Sequence, residues 1–182
     1  MNPVQQAPPA RELGPIHAGG LEFAAPWSVV LKLVTPTAAL ALLAAAVFVW
    51  FAVPPEVLAL RALLSLVCGG TVFVTALFTV RGYRIEGRIL SVQRLLWDTR
   101  ISLDGLRSVV ADPGALKRSL RLCGNGGLFA FTGWFRNRRL GTFRAFATDP
   151  ARAVVLTFRN RTIVVTPHDP EAFVRALESR HG

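Results

Sequence analysis

The chain has 182 residues, 52% of them hydrophobic, and a formal net charge of +10. Its two cysteines, Cys68 and Cys123, are far apart, which excludes a disulfide framework and a cysteine-ligated metal cluster. Residues 81–182 carry 18 of the 21 Lys and Arg and 8 of the 11 Asp and Glu, so the whole positive excess follows an apolar first half.

Residues 1–26, beginning MNPVQQAPPARELG, are rich in Pro, Ala, Gln and Gly and read as a disordered tail. At its end LEFAAPWS, 21–28, is placed along a membrane interface. Residues 27–80 then read as a transmembrane hairpin. LVTPTAALALLAAAVFVWFAV at 33–53 carries no charge and reaches about 31 Å as a helix, the thickness of a bilayer core. Pro36 is expected in its first turn, where a missing N–H costs little. Trp27 and Trp50 stand near its ends, where indoles favour the interface. PPE at 54–56 stops it. ALLSLVCGGTVFVTALFTV at 62–80 is also uncharged. Arg61 can snorkel outward from its start, and Gly69-Gly70 is expected to let the first helix approach closely. Basic residues Arg81, Arg84 and Arg88 follow the second span, whereas the loop at 54–61 holds only Glu56 and Arg61. Both termini are therefore expected in the cytoplasm of a bacterial inner-membrane protein.

After residue 80 the hydrophobic pattern changes to period 2. YRIEGRILSVQRL at 83–95 predicts two strands about Glu86-Gly87, and 100–112 continues extended with a break at Asp104-Gly105. Residues 113–123 predict a short helical or irregular excursion, and GNGG at 124–127 a flexible loop. LFAFTGWF at 128–135 and LGTFRAF at 140–146 predict a hairpin with Arg136–Arg139 at its turn. AVVLTF at 153–158 and TIVVT at 162–166 predict another. Asp169 as cap, Pro170 at the first position and Glu171 on the dipole predict a C-terminal helix to about residue 179.

Two spans followed by YRIEGRIL, ISLDGLRSV, G-x-F-x-x-x-x-x-G and TPHDPEAFVRAL resemble a membrane-anchored bacterial pleckstrin-homology (PH) domain protein over residues 81–180. The resemblance implies an α+β membrane protein. Its two-helix hairpin would precede a cytoplasmic domain at 81–182, a bent β-sandwich or partial barrel of about seven strands capped by the C-terminal helix. It implies no particular ligand. Family namesakes that bind phosphoinositides use a basic first hairpin loop; here that loop is Glu86-Gly87 between Arg84 and Arg88, and the acid departs from the pattern.

Catalytic and cofactor signatures are lacking. The three histidines, His17, His168 and His181, are scattered, there is no HExxH or G-x-S-x-G, and GNGG lacks the Lys-Ser/Thr of a phosphate loop. The expectation is a non-enzyme without cofactor or metal, acting as a membrane-anchored scaffold or regulatory binding module. Its partner is a protein, with a second copy of the chain among the candidates, since open sheet edges can accept a strand. The alternative is recognition of anionic lipid headgroups by Arg81, Arg84, Arg88, Trp134, Arg136, Arg138 and Arg139. Nucleic-acid binding, a further alternative, has the charge but no recognition motif.

Overall fold

The computed structural model describes residues 20–179. The expected tail up to residue 19, with His17, and His181 at the other end lie outside the described residues. Leu21–Ala24 forms strand β1, which the sequence pattern does not predict, and helix α1 follows at Val29–Ala52. Ser28 caps α1, its Oγ accepting from Leu31 N at 3.2 Å. That cap starts the helix ahead of the apolar run, so Pro36 lies inside α1 and not in its first turn.

A short 3-10 turn at Pro55–Val57 leads into α2, Leu58–Leu77. Arg61 folds back onto α1: its Nη2 donates to Trp50 O, one of the carbonyls left over in the last turn, and its guanidinium lies 5.4 Å from the Trp50 ring centre. Ser65 Oγ donates to Ala46 O at 3.3 Å. Gly69 and Gly70 do not meet α1; the space where a Cβ would stand is open at both. Both helices are long and apolar enough to cross a membrane. Only Leu31 and Thr35 of α1 are buried, and no residue of α2.

The β-rich part has two sheets. β2 (Gly82–Glu86), β3 (Ile89–Gln93) and β4 (Asp98–Ser102) join β1 in an antiparallel sheet of order β1-β2-β3-β4. β5 (Leu106–Ala111), β6 (Leu120–Leu128), β7 (Ala130–Asn137), β8 (Gly141–Ala147), β9 (Val154–Phe158) and β10 (Thr162–Val165) form a second sheet, β5-β9-β10-β8-β7-β6, in which β10 and β8 are parallel. Helix α3 (Pro170–Glu178) closes the domain. The predicted seven strands are thus ten among the described residues. One reason is GNGG, which lies inside β6 and is not a loop. Gly124 and Gly133 face each other at φ +111° and +140°, and a Cβ on either would stand within 2.3 Å of the opposite backbone. The glycines let two strands cross too closely for any side chain.

Alternation fills two cores. Val154, Leu156 and Phe158 of β9 and Ile163 and Val165 of β10 face Tyr83, Ile85, Leu90 and Val92 of the first sheet. Val155 and Val164 point the other way, toward Phe135, Phe143 and Ala145. Phe173 and Leu177 of α3 enter the first core, as the expected cap geometry requires: Asp169 Oδ1 accepts from Ala172 N at 2.9 Å.

A collar of hydrogen bonds binds the domain to the start of α1. Ala25 N donates to Arg81 O, Ser28 N to Thr148 O, and His168 N to Ala24 O. Thr148 Oγ1 donates to Pro26 O at 2.8 Å, and Phe129 N donates to Thr35 Oγ1 at 3.0 Å. The helices are therefore seated on the domain at the turn between β6 and β7.

Candidate functional site

β7 leaves that junction at Ala130 and ends at Asn137, roughly 23 Å away at the usual rise of a strand. The turn at its far end is fixed by Asn137. The side-chain Nδ2 donates to Ala115 O at 2.8 Å and to Ser119 Oγ at 3.0 Å, while Oδ1 accepts from Arg139 N and Leu140 N. One amide thus ties the β7–β8 turn to the segment between β5 and β6. That segment is a run of turns, begun where Asp112 Oδ1 accepts from Gly114 N at 2.9 Å. Arg118 adopts φ +51°, in the left-handed region.

Between the two tied segments lies an open cleft of about 930 Å³. Lys117 and Arg118 line one wall, Arg136, Arg138 and Arg139 the other. All five cations are exposed. Arg139 reaches across to pair with Asp112, the one ion pair at this cleft among the described residues. Clustered exposed cations on a hairpin tied by Asn137 make this a region of positive potential, which attracts anions.

The expected contact residues separate into three groups. Arg136, Arg138 and Arg139 do come together, and Lys117 and Arg118, which sequence reasoning missed, join them. Arg136 belongs to β7 and not to the turn proper. Arg84 and Arg88 sit by the β2–β3 hairpin and already have partners. Arg84 bonds Glu22 at 2.5 Å, and that bond holds its guanidinium pKa above the usual value; Arg88 pairs with Asp104 at 2.8 Å. Arg81 is exposed at the collar. Trp134 is half-exposed on β7, opposite Arg144 of β8, outside the lining of the cleft. Lys117 and Arg118 could have been suspected from the KRSLRL run, but only the fold brings it to the hairpin.

No group of His, Cys, Asp or Glu among the described residues could hold a metal ion. The fold is thus a two-sheet domain closed by a C-terminal helix, with an exposed basic cleft at the end of β7. Residues 81–181 match the family model for the bacterial PH domain, and the chain belongs to that family. Such domains are generally non-catalytic and bind lipids or proteins. No curated protein and no solved structure matches the chain.

Proposed function

We propose that the protein is a non-catalytic membrane-anchored binding module, a scaffold or regulator, with α1 and α2 as its anchor and its PH domain on the cytoplasmic side. The observation that carries this reading is the pair of apolar helices that the other described residues leave largely uncovered, seated on the domain by the collar at Ala25–Ser28. Core helices of a soluble protein would be buried; these two expose their flanks where lipid would lie.

The cleft at Lys117, Arg118, Arg136 and Arg138 is the docking face. It lies at the end of β7 remote from the helices, which favours an acidic segment of a partner protein over the headgroups nearest the anchor. The test uses the full chain in nanodiscs of zwitterionic lipid, titrated with an acidic peptide at low salt. Binding that weakens with salt and is lost in R136S/R138S/R139S is the expected result. Failure to bind the peptide, with the same variant losing affinity for anionic vesicles instead, would give the cleft to lipid.

A further inference from the structure

The turn between β3 and β4 reads Arg94-Leu95-Leu96-Trp97. Arg94 is only 6% exposed, yet no carboxylate among the described residues pairs with it. Its Nη1 donates to Phe78 O at the end of α2 (3.2 Å), and its Nε to Thr99 Oγ1 (3.1 Å). Its guanidinium lies 5.4 Å from the Phe146 ring centre, and that of Arg144 lies 4.8 Å from the same ring. Burial, then the charge of Arg144, pushes the Arg94 pKa down. Two cations sharing one ring without a counter-charge form a site that an anion would stabilise.

Both arginines line a cavity of about 510 Å³ between α2 and the second sheet, with Arg121 at its edge and Val74 and Phe78 as an apolar wall. Thr132 lines it too, and its hydroxyl oxygen is buried without a hydrogen-bond partner among the described residues. Val74 and Thr75 also border a shallow, wide-open apolar groove of about 440 Å³ on the face of α2, which passes Gly70 and Val67. Gly70 has open space where a side chain would stand. Beside the cavity, Trp97 packs edge-on against Phe78 at 5.4 Å, and Leu95 and Leu96 are exposed. An apolar turn with an indole at the end of a span is the pattern of the headgroup layer.

We propose that this junction binds one anionic phospholipid, its phosphate held by Arg94, Arg144 and the Thr132 hydroxyl and one acyl chain laid in the groove along α2. The site rests on the membrane-anchored reading and is distinct from both the cleft at the β7–β8 turn and the β2–β3 hairpin loop. A soluble phosphate would leave the groove unused; a zwitterionic lipid would add a cation beside three arginines. The combination of charge and continuous apolar groove therefore selects an anionic lipid.

The test is native mass spectrometry of the detergent-purified full chain, titrated with phosphatidylglycerol or phosphatidylcholine. One phosphatidylglycerol should be retained per chain, about tenfold more strongly than phosphatidylcholine. R121Q/R144Q, which changes only exposed side chains, should remove that preference. Gly70→Leu should weaken both lipids by filling the groove. Equal retention of the two lipids, or an unchanged preference in R121Q/R144Q, overturns the proposal. Displacement of the lipid by millimolar inorganic phosphate alone would also overturn it, in favour of a phosphate site. Alkaline carbonate extraction of the same membranes separates the two claims. A chain that stays in the pellet but shows no preference refutes only the lipid site, whereas a chain that is released refutes the anchor and the lipid site with it.

Discussion

Tyr83 offers a direct probe of the domain core, because it is the single tyrosine in the chain. Its ring is fully buried and packs against Phe173 of α3, with ring centres 6.1 Å apart. Its hydroxyl donates to Phe146 O at 2.5 Å and accepts from Thr166 N at 3.0 Å. Burial pushes its pKa from 10.0 up to about 12, outweighing the hydrogen bonds from Thr166 that pull it down. Because the folded chain holds the proton more tightly than the unfolded chain, the stabilisation is complete below pH 10. It is lost as pH rises from 10 to about 12. The loss across that window is roughly 2–3 kcal/mol. Phenolate absorbance in the near ultraviolet reports this one group. In the folded chain it should stay flat through pH 10 and rise near 12, and thermal stability should fall over the same window. In Tyr83→Phe that loss should be absent. The variant should instead be less stable at neutral pH by about 2 kcal/mol, since Thr166 N–H loses its partner in a dry core. A phenolate midpoint at 10 in the folded chain would refute the burial argument. A Tyr83→Phe variant as stable as the native chain would refute the hydrogen-bond assignment.

Three further outcomes follow from the geometry. Gly133→Ala should cost more than about 3 kcal/mol or prevent folding, because the new Cβ would stand 2.1 Å from Cys123 O; circular dichroism and thermal melting read this directly. Asn137→Ala should cost about 2 kcal/mol and also lower affinity for the acidic peptide, since one amide holds both walls of the cleft; a melt and a binding titration on one sample check the two effects together. Asp169→Ala should cost about 1 kcal/mol by uncapping α3, measured as a shift in denaturant midpoint at constant slope.

What the sequence made legible was local. Asp169-Pro170-Glu171 announces α3, and Glu86-Gly87 and Arg159–Arg161 lie at hairpin turns because turn chemistry acts over a few residues. The features that escaped depend on residues far apart in the chain. GNGG reads as a loop until Gly133 is placed opposite Gly124. Leu21–Ala24 reads as tail until β2 offers it an edge. The cleft was half visible: the Arg136–Arg139 run stands out, but Lys117 and Arg118 join it only through the amide of Asn137. Arg94 was hidden more deeply. In sequence it is one arginine in a basic domain, and its burial beside Arg144 exists only after α2 is docked on the sheet.

The central claim is that α1 and α2 hold a PH domain on the cytoplasmic face. Cys123 is exposed on β6, whereas Cys68 lies within α2, so Cys68→Ser leaves a single reporter thiol on the domain. That variant, expressed in bacteria and treated as intact spheroplasts with a membrane-impermeant maleimide, tests the placement directly. Membrane-bound chain whose Cys123 labels only after permeabilisation is the predicted result; labelling in intact spheroplasts would contradict it.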